Sequence, residues 1–247
     1  MKVDRTIAAK NLARPARREL SLIAAILLIA GGLWTFVAVS EGVVEGNTHV
    51  FDEMVLLSMR TPEDHSDPIG PGWVEEFARD VTALGSVGVL TFISLAAAGF
   101  LVLRGKRRAA VFVIVAIAGG IALSFGLKSA FDRPRPDLVS HGAAVFTKSF
   151  PSAHSMMSAV VYLTLGTLLA RFQSLRRLKI YVISLAVLIT LAVGVSRVYL
   201  GVHWPTDVLA GWAGGAAWAM LCWATLLWLQ RKQQIEETAV DGAEPMR

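Results

Sequence analysis

The chain is 247 residues long; 54% of these are hydrophobic, only 17% are charged, and the net charge is +5. Soluble domains carry nearer 25% charged residues, so this composition excludes a disordered chain, a basic nucleic-acid-binding domain and most soluble enzymes. The single cysteine, Cys222, sits in an apolar run, which excludes an intrachain disulfide framework and a cysteine-based zinc cluster.

A basic segment, 1–19, opens the chain and an apolar run, 20–40, follows it. A spanning helix needs about 20 mostly apolar residues, whereas a signal-peptide core has about 7–15. Ala38-Val39-Ser40 is only a fair cleavage site, so the run reads as a retained anchor. Residues 41–80 hold ten Asp/Glu against Arg60 and Arg79. Met54-Val55-Leu56 and Trp73…Phe77…Val81 have partly helical spacing and read as short interfacial helices leading into a second span. His49 and His65 match no metal-ligand spacing with the nearby acids, and the segment reads as a solvated acidic loop. Five further apolar runs follow, at 81–103, 109–127, 155–172, 180–196 and 208–229, none with a charge at its middle. The expected fold is all-α, a six-helix membrane bundle over 20–230 with a polar tail, 231–247, that frays into the cytoplasm. Gly211 and Gly215 in the last span, and Gly119 and Gly120 in the third, provide small-residue faces for close helix approach.

The connections divide the basic residues unevenly. Seventeen of the 24 fall in the N-terminal segment, the loops after spans two and four, and the C-terminal tail. The other seven are Arg60, Arg79, Lys128, Arg133, Arg135, Lys148 and Arg197. Basic loops stay cytoplasmic, so both termini are expected inside and the remaining connections outside.

Those outer connections concentrate the unusual chemistry in three clusters. Lys128-Ser-Ala-Phe-Asp-Arg-Pro-Arg135-Pro136 closes the third span as a proline-stiffened cationic strap. A juxtamembrane patch for lipid headgroups is the plain alternative, but such patches belong on the cytoplasmic face. Pro151-Ser152-Ala153-His154 opens the fourth span. Ser152 is placed as N-cap, and free N–H groups with a positive dipole end make such a terminus an anion site; an ordinary cap beside an interfacial histidine is the alternative. Ser196-Arg197, His203 and Asp207 lie between spans five and six. A carboxylate four residues from His203 can accept its Nδ1–H, fix the tautomer and leave Nε2 as nucleophile or base; a structural His–Asp bond beside Trp204 is the alternative. Since all three clusters fall on one side of the bundle, three cations, one helix N-terminus and two histidines can converge. That set matches a phosphoryl group, whose transition state spreads negative charge over its equatorial oxygens.

The spacing Lys128-x6-Arg135-Pro136, Pro151-Ser-Ala-His154, Ser196-Arg197-x5-His203-x3-Asp207 resembles the type-2 phosphatidic acid phosphatase family, the membrane branch of the acid phosphatase/vanadium haloperoxidase superfamily. The motifs cover 128–207, and the six-span layout extends the likeness to most of the chain. The resemblance implies a phosphatase core in which His203 takes the phosphoryl group, Asp207 orients it and His154 protonates the leaving oxygen. It implies that Lys128, Arg135, Arg197, Ser152 and the Ala153 backbone N–H hold the phosphate oxygens. The family's middle motif usually reads Pro-Ser-Gly-His; Ala153 keeps the N–H and fails only if that position needs positive φ. Arg133, outside the core spacing, is a further candidate for phosphate or headgroup contact.

The expected substrate is a lipid phosphate or diphosphate: phosphatidic acid, phosphatidylglycerol phosphate, undecaprenyl diphosphate or a lipid A phosphate. No cofactor, metal or nucleic acid is expected, since the cations supply the positive charge. Two other readings remain at this level: a phosphotransferase using the same phosphohistidine, and a non-enzymatic anion transporter. The transporter would need ionisable residues at mid-membrane, and these spans are clean there.

Overall fold

The computed structural model describes the backbone of residues 5–137 and 148–241 and the side chains of residues 23–137 and 148–230. The middle of the catalytic-motif connection, 138–147, lies outside the described residues, as do the side chains of the basic N-terminal segment and of the polar tail. The described residues form eight helices, in order α1 Arg5–Val44, α2 His49–Leu57, α3 Gly72–Ala83, α4 Val87–Leu103, α5 Arg107–Ala130, α6 Ala153–Phe172, α7 Arg176–Tyr199 and α8 Pro205–Asp241. Among the described residues the only non-helical pairing is an isolated bridge between Arg60 and Pro68.

Among the described residues five helices are long and apolar enough to cross a membrane, or six if α3 and α4 together make one bent span. That bend corrects the expected continuous second span. α4 has 17 residues, a rise of about 25 Å, which falls short of the ~30 Å hydrocarbon core. The two helices meet at 47°. Ser86 restarts the helix by accepting the Val89 N–H on its Oγ. Gly85 fits the bend because an added Cβ would lie 2.5 Å from Val193 Cγ1 and 3.4 Å from the His154 side chain. α2 and α3 are the short helices expected in 41–80. α8 continues to Asp241, past the expected end at 229 and into the stretch read as a fraying tail.

α6 is the central strut, with over half of its span enclosed by protein. Six of its ten buried residues are small, Ser155, Ser158, Ala159, Thr164, Gly166 and Ala170; the others are Met156, Val160, Val161 and Leu168. α8 comes against it through Gly211, where an added Cβ would be 2.7 Å from the Ser152 carbonyl, and through Gly215, where it would strike the Met156 carbonyl. Gly119 of α5 accepts the Trp218 ring of α8, and a Cβ on Gly120 would meet Val160 of α6 at 2.8 Å. Both small-residue faces therefore bring helices together, as expected. The outer faces carry exposed Trp34, Phe92, Phe100, Val111, Phe125 and Trp228, the surface that hydrocarbon would cover.

This packing gathers the last turns of α5 and α7 and the first turns of α6 and α8 at one end, roofed by α2 and α3. Lys106, Arg107, Arg108 and Arg171 cluster around a cavity at the other end.

Candidate active site

Asp207 is the fixed centre of the polar end. It lies in the first turn of α8 and is fully buried. Its Oδ2 accepts from the Trp204 N–H at 3.0 Å and from the Ser149 hydroxyl, and lies 3.3 Å from His203 Nδ1. Its Oδ1 receives Arg133 Nη1 at 2.7 Å. A carboxylate with this many donors keeps its charge and holds its geometry.

His203 is 1% exposed. Its Nε2 lies 3.3 Å from Arg135 Nη1, which also donates to the Val202 carbonyl at 2.7 Å. A guanidinium only donates, so Nε2 presents its lone pair and Nδ1 carries the proton toward Asp207. Burial pulls the His203 pKa down to about 4; Asp207 acts against that shift, while Arg135 and Arg197 add to it. The ring is therefore neutral at physiological pH with a directed lone pair, the form a nucleophile needs. Burial likewise lowers the Arg135 pKa, with Asp207 opposing.

Ser152 caps α6 as expected: its Oγ accepts from the Ser155 N–H at 3.5 Å and from the Ser155 hydroxyl at 3.0 Å. Its own N–H donates to the Asp207 carbonyl at 3.0 Å, tying the two helix starts together. No non-glycine residue among those described has positive φ, so Ala153 replaces the family's glycine without left-handed strain. By position, the first-turn N–H groups of α6 lack intrahelical acceptors. His154 projects from this turn against Gly85 at the α3–α4 bend and is within electrostatic range of Arg197, His203, Arg135 and Lys128.

Lys128, in the last turn of α5, donates to the Lys148 carbonyl at 2.7 Å and senses the charges of Arg135, Asp207 and Arg197. Arg197, in the last turn of α7, donates through Nη1 to Thr82 Oγ1 at 3.1 Å, and its buried Nε has no partner among the described residues. The structure thus brings Lys128, Arg135, Ser152, Ala153, His154, Arg197, His203 and Asp207 to one end of the bundle.

Arg133, the further candidate for phosphate or headgroup contact, is bonded to carboxylates. Nη1 binds Asp207 and the Thr206 hydroxyl, each at 2.7 Å; Nη2 binds Asp52 at 2.6 Å. Asp52, fully buried on α2, also accepts the Thr206 N–H at 2.9 Å and hydroxyl at 2.7 Å. This corrects the reading of 41–80 as only a solvated acidic loop: one of its acids is a structural anion behind His203. Sequence reasoning missed Asp52, Ser149 and Thr206. None of the three carries a local signal: Asp52 stands beside Glu53 on the short helix, one of ten acids in 41–80. Among the described residues no group of three or more His, Cys, Asp or Glu could hold a metal ion, His49 and His65 included.

Two carboxylates and one guanidinium stand behind His203, and two further guanidiniums and an ammonium surround its front. The surplus positive charge is of the size a phosphate dianion closes, which with the membrane-spanning bundle defines the class: a membrane phosphatase acting on phosphoric esters. The chain belongs to the PAP2 superfamily, whose family model matches residues 109–231. It is 35% identical over 149 residues to phosphatidylglycerophosphatase B of Bacillus subtilis (strain 168), covering 58% of this chain and 70% of that protein. It is 30% identical over 184 residues to a lipid A 1-phosphatase of Rhizobium etli, covering 62% and 74%. Among solved structures, the transmembrane PAP2 type phosphatidylglycerolphosphate phosphatase from Bacillus subtilis matches with a TM-score of 0.64 at 25% identity, over 90% of this chain and 98% of that one. Aquifex aeolicus LpxE matches with a TM-score of 0.50 at 23% identity, over 70% and 92%, a likeness of fold.

Proposed function

We propose that the protein hydrolyses the phosphate of a membrane lipid through a phosphohistidine on His203, at the outer face of the membrane. The observation that carries this is the His203 Nε2 lone pair, held by Asp207 and Ser149 and set beside Arg135.

Neutral His203 attacks phosphorus in line while protonated His154 donates its proton to the departing lipid oxygen. The P–O bond breaks as the N–P bond forms. His154, now neutral, takes a proton from water, which attacks the phosphohistidine and releases phosphate. Lys128, Arg135, Arg197 and the N–H groups at Ala153 and His154 hold the equatorial oxygens. Asp207 balances the positive charge that develops on the His203 ring and, with Arg133 and Asp52 behind it, does so without moving.

The outer-face placement is supported by charge. Lys106, Arg107, Arg108 and Arg171 mark the end opposite the site, and basic ends stay cytoplasmic. A site at headgroup depth suits a lipid phosphate entering sideways between helices. Phosphatidylglycerol phosphate and lipid A 1-phosphate are the first substrates to test, because the named relatives are phosphatases of those lipids. Purified protein in detergent should release inorganic phosphate from at least one of phosphatidylglycerol phosphate, phosphatidic acid, a lipid A phosphate and a polyprenyl diphosphate, with His203→Ala inactive. Phosphate released in proportion to substrate lost marks hydrolysis; a shortfall marks transfer to an acceptor. Activity abolished by a chelator and restored by Mg²⁺ would contradict the mechanism.

A further inference from the structure

A second polar cavity, of about 520 Å³, opens beside the phosphate-binding end. Its walls come from 60–68, the outer face of α3 and the end of α7. Arg197 and Thr82 line it and are bonded to each other, so it begins where the phosphate cradle ends. It also lies on the side of His154, because α3 runs from Thr82 into the bend at Gly85 against which His154 packs.

The cavity is built, not an accident of loop placement. The Arg60–Pro68 bridge closes the loop, the Ile69 N–H donates to the Met59 carbonyl at 3.0 Å, and Tyr199 Oη ties the loop to α7 through the Ile69 carbonyl at 2.8 Å. Arg60 is 4% exposed yet makes no ion pair among the described residues. Nη2 donates to the Tyr199 carbonyl at 2.8 Å, Nε is buried without a partner, and Nη1 makes no bond among the described residues. Burial lowers its pKa, which is the cost of keeping a guanidinium there. Across the same space, the Asp67 carboxylate makes no hydrogen bond or ion pair among the described residues, while Glu75 holds Arg79 at 2.6 Å.

Donors and acceptors therefore face one space. Setting aside Arg197, the lining has two guanidiniums against three carboxylates, Asp64, Asp67 and Glu75. That balance repels a second phosphate, and buried Arg60 repels an ammonium. Hydroxyl groups, which both donate and accept, satisfy both kinds of wall, and Pro68, Leu200 and Val202 offer apolar surface to a C–H face.

We propose that this cavity binds the hydroxylated headgroup, a glycerol or a sugar, that carries the scissile phosphate, with Asp67 and Arg60 as its hydrogen-bonding partners. The assignment rests on the phosphatase reading above and adds the leaving-group side to it.

The test compares kcat/KM for two lipid phosphates in matched detergent: phosphatidylglycerol phosphate, whose headgroup has a free hydroxyl, and a polyprenyl monophosphate, which has none. Asp67→Ala removes an exposed carboxylate that supports nothing in the fold. It should lower kcat/KM for the hydroxylated substrate about tenfold, the scale of one hydrogen bond to a charged group, and change the prenyl substrate by less than about twofold. Ser66→Trp, which fills the cavity from its rim, should give the same one-sided loss. Equal losses on both substrates, or no loss with either variant, would overturn the proposal. So would an Asp67→Ala gain on a prenyl diphosphate with the hydroxylated substrate unchanged, which would mark the cavity as a second anion site. If the wild type releases phosphate from neither of these nor from phosphatidic acid, a lipid A phosphate or a polyprenyl diphosphate, the phosphatase reading itself fails and the headgroup site with it.

Discussion

Arg133 and Arg135 are two residues apart on one strap, and they serve opposite regions of the polar end. Arg133 turns back into a region closed by charge: Asp52, Asp207 and Thr206 surround it, and α2, α8 and the strap are joined through it. Arg135 turns forward, beside the His203 lone pair and with Lys128 and Arg197 as charged neighbours. The rear region is paired and rigid; the front gathers positive charge that a substrate dianion balances. Residues two apart in an extended segment share a face, so it is their partners that separate the two guanidiniums: Asp52 and Asp207 draw Arg133 one way, and the Val202 carbonyl holds Arg135 beside His203. The difference assigns the rear to stability and orientation, and the front to binding and chemistry.

Mutations can break that division. The largest expected effect is at the join between the regions: His203→Ala removes the proposed nucleophile and should lower turnover by at least about 10³-fold, with the fold retained. Next are the front cations. Arg197→Ala or Lys128→Ala should each lower kcat/KM by about 10²–10³-fold, the usual loss for one transition-state donor, with little change in thermal midpoint. At the rear the order reverses. Arg133→Leu leaves two carboxylates buried together and should cost about 3–5 kcal/mol of stability, seen as a lower midpoint in detergent. Arg133→Leu combined with Asp52→Leu should recover part of that loss while kcat stays low, because Asp207 is no longer held from behind. Equal midpoints for the Arg133→Leu and Lys128→Ala proteins would remove the distinction between the two regions.

A smaller effect follows from pH. Burial holds the His203 pKa at about 4, against about 6.5 for an unfolded histidine. Between those values the unfolded chain binds more protons than the folded one, so stability rises with pH across the window. The contribution is complete above about pH 6.5 and is lost as pH falls through 4. His203→Gln should flatten this slope in a pH series of denaturation midpoints; an unchanged slope would mean that the ring is not buried and neutral. The smallest effect is at Ala153, where Gly should change kcat/KM by less than about threefold, since no positive φ is required.

The front region was legible in the sequence and the rear was not, for a physical reason. Lys128, Arg135, His154, Arg197, His203 and Asp207 are ionisable groups at the ends of apolar spans, where their cost demands a function. Their positions relative to helix ends follow from counting along the chain. Asp52 and Ser149 act through contacts across long sequence separations, and nothing local distinguishes Asp52 from the nine other acids of 41–80. The six apolar runs were legible by length, but the break at Gly85 was not. Val193 and His154 fill the space that a Cβ on Gly85 would take, and such packing leaves no mark on hydropathy.

The most direct measurement is to quench the turning-over enzyme with alkaline detergent after adding lipid substrate labelled with ³²P in the phosphate. An acid-labile, base-stable label on a peptide containing His203, absent from His203→Ala and still formed with an activated leaving group in His154→Ala, is the expected result. Full turnover with no label on His203, or label on Ser149 in its place, would contradict phosphohistidine chemistry at this site.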